Sequence, residues 1–273
     1  MQAMSKKLIV SADDFGLSEA YDLGAVKAYR EGVASVLSLI VSTDEAPRAV
    51  ELRNRRCPEA QLALHVNYCA GRPVSDPADI PSLVDERGLF HRSSEWVQGP
   101  MGDPKCQGSV SPTFEDLLRE MRAQVCRYEE LVGAPPRRVE AHSVMTEEML
   151  RAFAEVGDEL GVHNESIQGE ESPTLRSCGE CVPEGGRAAK LALVARGCTP
   201  EDWESDAFGI LGCPYEIAIL HFHPGYVDQR VVDCSSLVLA RCRDLQTLTD
   251  PRVWAWVEAN GIDLVDYDAV YRD

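Results

Sequence analysis

Short apolar runs that end in titratable side chains, separated by stretches of helical periodicity, constrain this chain most. Leu8-Ile9-Val10 runs into Ser11-Ala12-Asp13-Asp14, Val33 to Val41 into Ser42-Thr43-Asp44, and Leu62 to His65 ends at His65 itself. Later, Arg138 to Ala141 leads to His142, and Tyr215 to Phe222 leads to His223-Pro224-Gly225-Tyr226. Branched, bounded runs of this kind read as buried strands. Between them lie helices: Glu19 to Glu31 behind the N-cap Ser18, Ala46 to Arg55, Thr113 to Val132, and Glu147 to Leu160 behind the N-cap Thr146. In the first, Ala20, Leu23, Val26 and Tyr29 recur every third residue and mark the expected inner side. Gly24 weakens that helix, and Gly32 is expected to close it as a C′ residue. Strand and helix in alternation predict parallel strands joined by crossover helices.

The chain has 273 residues, enough for one large α/β barrel or two small domains. Cys69 to about Met101 is rich in Gly, Pro and Ser and reads as a long functional loop. Asn164 to Arg187 has little periodicity. Helices are expected over 188–195, 200–211, 235–248 and 251–260, a strand over 262–265, and a short closing helix. The sequence contains no internal repeat.

With 27 Lys and Arg against 45 Asp and Glu, the net charge is −18. That balance argues against nucleic acid, which needs cations for its phosphates, and against an anionic membrane surface. No apolar run reaches the length of a membrane span, and the opening MQAMSKKLIV has no signal-type apolar region. The expected compartment is the cytoplasm, with the 10 cysteines mostly reduced. Cys178-Gly179-Glu180-Cys181 is a lone CxxC, which without a second pair reads as structural rather than as zinc-binding.

Asp13-Asp14, His65, His142 and His223 fall at or near the carboxyl ends of predicted parallel strands. In barrels and open α/β sheets such ends build the active face. Two adjacent carboxylates on a strand point to opposite faces unless the chain turns, and Gly16 allows a turn. One carboxylate could then bind a cation while its neighbour takes a proton from water that the cation acidifies. Two histidines and one carboxylate form a common catalytic ligand set; Zn²⁺ suits imidazole, whereas Mg²⁺ prefers oxygen. Plainer roles compete: Asp13-Asp14 as helix caps, or each histidine as a hydrogen-bonded structural residue. His221 shares a strand face with His223 but lies earlier, and reads as a satisfied interior histidine; His91, in the long loop, reads as solvated.

ADDFGLS at Ala12 to Ser18, LALHVN at Leu62 to Asn67 followed by AGRPV, PSLVDERGLF, EAHSVM around His142, and FHPGYVD at Phe222 to Asp228 together resemble the YdjC-like carbohydrate deacetylase family, which includes chitooligosaccharide deacetylase. The resemblance runs from Lys7 to about Val270 and is weakest over Asn164 to Leu211. It implies an irregular (β/α) barrel of the glycoside hydrolase/deacetylase type, formed by residues 1–273 as a single domain. It implies Asp14, His65 and His142 as ligands of a divalent metal (Zn or Mg), Asp13 as general base and His223 as general acid. The implied reaction is hydrolysis of an acetamide on an N-acetylated amino sugar or small saccharide, and a homodimer is the implied assembly. Only the first histidine of the family's Ser-His-x-His-x-His pattern remains here, in Ala141-His142-Ser143-Val144-Met145-Thr146. Glu140 stands where Asp is usual and His163 where an arginine often is. These departures keep open another N-acyl substrate; a carbohydrate-binding barrel without turnover is a third alternative, against which the full Asp13, Asp14, His65, His142 and His223 set speaks. Arg72, Arg241 and Arg243 are the basic residues that a phosphorylated sugar could use.

Overall fold

Among the described residues, 6–99, 104–169 and 173–272, the computed structural model has these elements in chain order. They are β1 (Lys6–Phe15), α1 (Glu19–Glu31), β2 (Val36–Leu39), α2 (Ala46–Arg56), β3 (Gln61–Val66), α3 (Phe114–Val132), β4 (Arg138–Ala141), α4 (Glu147–Leu160), β5 (His163–Asn164), β6 (Cys178–Glu180), α5 (Gly186–Arg196), α6 (Pro200–Glu204), β7 (Ile217–Phe222), α7 (Gln229–Cys234), α8 (Leu239–Leu248), α9 (Pro251–Ala259) and β8 (Ile262–Leu264). The first residues of the opening segment and the end of the long loop at Met101 lie outside the described residues. Among those described, no helix is long and apolar enough to cross a membrane. The chain divides into two units: Met1–Ser38, Glu51–Leu62 and Gln168–Asp273 form one, and Leu39–Val50 with Ala63–Ile167 the other.

The first unit is built on β1, whose Leu8, Ile9 and Val10 are fully buried. β1 pairs in parallel with β7, Ser11 opposite His221 and Ala12 opposite Phe222, and β7 pairs in parallel with β6. On its other side β1 pairs with β8 at Lys6 to Leu8 and with β2. An aromatic cluster backs β7. Trp203 stacks on Phe222 with centroids 5.8 Å apart and meets Phe208 and Trp256 edge-on at 5.5 and 5.9 Å. Such pairs add about 0.5–1.5 kcal/mol each beyond their buried area. They clamp the outward face at Phe222 and so fix the strand that carries His221 and His223.

α1 is capped as expected, Ser18 Oγ accepting the Tyr21 N–H. Its buried side is Tyr21, Asp22, Ala25, Val26 and Ala28, while Leu23 of the expected inner stripe is 42% exposed. Gly24 is required by packing: a Cβ there would lie 2.6 Å from Gly225 Cα. Gly32 is not a left-handed C′ residue; its φ is −125°. The expected helix 200–211 stops at Glu204. Asp206 takes a φ of 50°, and its carboxylate accepts the N–H groups of Ile210 and Leu211. The expected helix 235–248 is α8 alone, preceded by α7, which Asp228 caps through the Val231 N–H.

In the second unit, β3, β4 and β5 are parallel, with His65 opposite Glu140 and Val139 opposite Asn164. α3 is capped by Thr113 and closed by Gly133 at φ 85°. One face of α3 carries buried polar residues that organise the loop after β3. Gln124 brackets the Asn67 backbone. Glu120 accepts the Val74 and Ser75 N–H groups, and Asp116 holds Ser82. The segment expected to be a structureless loop is therefore pinned by buried acceptors, and it contains the fully buried Trp96.

Candidate active site

In the first unit the turn foreseen at Gly16 begins two residues earlier. Asp14 itself is left-handed, with φ 64°, a conformation in which short polar Asp is among the few tolerated residues. Gly16 follows at φ 92°. The bend is closed by the Leu17 N–H on Asp14 O and the Gly16 N–H on Asp22 Oδ1. The break in alternation gives the two neighbouring carboxylates different partners. Asp13 Oδ1 accepts the Ser11 hydroxyl at 2.7 Å, and His221 Nδ1 lies 3.1 Å from Asp13 Oδ2. Asp14 Oδ2 accepts from Arg241 Nη2 at 2.7 Å.

Arg241 is 2% exposed. It also donates to Leu237 O and Ser235 Oγ, and its guanidinium lies 4.8 Å from the Tyr21 ring centroid. Burial disfavours the Arg241 charge, but Asp14 and Tyr21 outweigh it and hold its pKa above the ordinary arginine range. Tyr21 donates to Asp13 O, and burial pushes its own phenol well above the usual value. Arg241 is thus buried against the Asp14 turn, neither a solvated surface residue nor one offered to a phosphate. Arg243 donates to Arg196 O. The His223 backbone N–H donates to Asp244 Oδ2. Burial lowers the His223 pKa, while Asp14 acts in the opposite direction. His221 is half-buried, and Glu180 lies beyond it with Oε1 3.4 Å from Nε2. A small cavity of about 30 Å³ beside β7 is walled by Leu193, Val194, Phe208 and Phe222, and Lys190 and His221 also line it.

In the second unit His65 and His142 meet edge to face with ring centroids 5.3 Å apart. β3 delivers His65. His142 follows β4, fixed by its N–H on Val66 O. Ser143, at φ 73°, turns the chain away. Glu140 Oε1 lies 3.8 Å from His65 Nδ1. Arg138 connects Glu140 to Glu165 at 2.8 Å and to His163 Nδ1 at 2.5 Å, all four being buried. Burial, then the Arg138 charge, holds the His163 pKa well below the usual histidine value. His91 is half-buried, 3.6 Å from Glu95.

Asp13, Asp14 and His223 therefore belong to the first unit, and His65 and His142 to the second. The sequence reading took His221 as a satisfied interior histidine and Arg241 as a basic residue for a phosphate, and did not single out Ser11; all three lie on the Asp13 and Asp14 carboxylates. The signal for His221 was the parity of β7: it shares a strand face with His223, and the β1–β7 register puts it opposite Ser11. Cys178 and Cys181 are buried free thiols, as are the other buried cysteines.

The fold is of the parallel α/β class. A crystal structure of an Enterococcus faecalis V583 protein matches it with a TM-score of 0.79 at 19% identity, over 98% of this chain and all of that one (100%). The YdjC-like protein family matches residues 7–259, and the chain belongs to that family. It is 24% identical to a carbohydrate deacetylase of Clostridium beijerinckii over 96% of this chain and 98% of the relative. It is 26% identical to one of Geobacillus stearothermophilus over 98% and 100%. It is 32% identical to a chitooligosaccharide deacetylase of Serratia marcescens over 51% and 50%.

Proposed function

We propose that this protein is a metal-dependent carbohydrate deacetylase that hydrolyses the acetamide of an N-acetylated amino sugar or small saccharide. One observation carries the reading: the left-handed turn at Asp14 gives two adjacent carboxylates different partners. Paired with an arginine, Asp14 suits a fixed ligand; beside an imidazole and a hydroxyl, Asp13 suits proton transfer. The family relatives support the substrate class, and the family match runs through both units, in keeping with a single catalytic domain.

Asp14, His65 and His142 would hold a divalent ion. One carboxylate and two imidazoles are the donor types of open catalytic sites, and the residues fit on that chemistry. When bound, such an ion polarises the acetamide carbonyl and makes water more acidic. Asp13 then takes the proton of the attacking water. His223 gives a proton to the departing amine nitrogen, which leaves as the free amino sugar beside acetate. Arg241 donates to Asp14 and keeps its carboxylate oriented.

The test is to quantify metal in the purified protein and to assay acetate release from a panel of N-acetylated amino sugars, before and after chelation. Metal with chelator-sensitive release supports the reading; no release after Zn²⁺ or Mg²⁺ is added overturns it. A second reading, a different N-acyl substrate, is favoured by Val144-Met145-Thr146 in place of the family's further histidines. Release from other amides but not from acetylhexosamines would select it.

A further inference from the structure

Asp13, read above as the base, is held at its carboxylate by two side chains of its own unit. Ser11 and His221 are opposite one another in the β1–β7 register, and residues two apart on a strand share a face, so Ser11, Asp13 and His221 meet on one side. The Ser11 hydroxyl takes Oδ1 at 2.7 Å. His221 Nδ1 faces both oxygens, at 3.1 and 3.3 Å. The opposite ring nitrogen lies 3.4 Å from Glu180 Oε1, and Glu180 is ion-paired with Lys190 of α5. Carboxylates only accept, so Nδ1 serves Asp13 as the protonated, donating nitrogen of the ring. The outer carboxylate and its lysine then anchor the imidazole from behind.

We infer that His221 is a positioning residue for Asp13, with the Glu180–Lys190 pair as its anchor. The carboxylate torsion of an aspartate is a broad, roughly two-fold rotor. Proton transfer needs the accepting oxygen within hydrogen-bond reach of its water. A ring hydrogen-bonded to the carboxylate at Nδ1, with Glu180 within ion-pair distance of its far side, removes that freedom at the base without touching substrate. The inference rests on the deacetylase reading, and its test separates the two.

Acetate-release kinetics and metal content are measured for the wild type, His221→Leu, His221→Gln and Glu180→Gln. ¹⁵N-labelled histidine side-chain NMR is recorded on the wild type, His221→Gln and Asp13→Asn. The expected result for His221→Leu is a kcat lower by about 10–100-fold, the size known for hydrogen-bond partners of metal ligands, with KM changed little and metal unchanged. His221→Gln keeps a donor and recovers much of the loss, and Glu180→Gln loses several-fold. The NMR arm should show an Nδ1–H signal that vanishes in His221→Gln and moves in Asp13→Asn. Unchanged kcat in His221→Leu, no rescue by Gln, or an Nδ1 without a proton overturns the inference, as does metal loss in His221→Leu, which would make His221 a ligand. If the wild type releases no acetate, the deacetylase reading fails on its own, and the NMR arm still decides whether His221 holds Asp13.

Discussion

Arg241 Nη2 donates to Asp14 Oδ2 at 2.7 Å, and neither side chain is more than 2% exposed. A buried charge left without its partner costs several kcal/mol, so the left-handed turn at Asp14 and the position of α8 are mutually enforced.

Arg241→Met should therefore destabilise the protein by about 3–5 kcal/mol, the range for breaking a buried pair, and weaken metal binding. Arg241→Lys, which keeps the charge but not the fork that also reaches Leu237 and Ser235, should be intermediate. Urea unfolding and a metal titration on each variant check both parts. Equal stability and equal affinity in Arg241→Met would show that the pair is ornamental.

Asp13 and His65 should fail differently. Asp13→Asn should lower kcat by about 10²–10⁴, the usual share of a general base, with metal retained; His65→Ala should lose metal. Metal analysis beside acetate release separates them. Metal loss in Asp13→Asn would reverse the assignment of base and ligand.

His223 should set the alkaline side of the pH profile. Its pKa is lowered from 6.5 by burial, and a general acid works only while protonated. Activity should therefore decline as pH rises through a value below 6.5, and His223→Ala should flatten that limb. A limb that survives His223→Ala belongs to another group.

His163 links stability to pH. Its folded pKa is well below 6.5, from burial and then Arg138, so below pH 6.5 the unfolded chain binds the extra proton. The sign follows: this contribution is full above pH 6.5 and is lost as pH falls from there toward the folded pKa. His163→Gln should reduce the loss of unfolding free energy between pH 7.5 and pH 5.5, measured in urea. An identical pH slope in the variant would remove His163 from the account.

Gly24 tests packing against propensity. Alanine in a helix gains up to about 1 kcal/mol over glycine, but here its Cβ would sit 2.6 Å from Gly225 Cα and 2.7 Å from Tyr226 N, which are backbone atoms. Gly24→Ala should destabilise by about 1–3 kcal/mol, as overpacking does, and displace the loop after His223. A thermal melt decides; a stabilised variant would mean that the loop yields freely.

The alternation of strand and helix, and the bounds of α1, β4 and α4, were legible because they follow from short-range physics: apolar periodicity, side-chain caps and turn residues. The β1 carboxylates and the histidines after β4 and β7 could be singled out for the same reason, since a polar group that ends a buried strand is itself a local signal. Most of the 164–187 segment and the short helix α7 were not, because there local preference is weak and packing decides. Nor could the sequence show that Arg241 lies on Asp14, 227 positions away, or that His221 lies on Asp13, 208 positions away. Those pairings depend on strand register and on a backbone turn that Arg241, Asp22, the Leu17 N–H and the surrounding core hold in place. The sequence by itself determined which chemistry the strand ends carry; the tertiary structure decided which partner each group has, because hydrogen bonds and charges act through space, not along the chain.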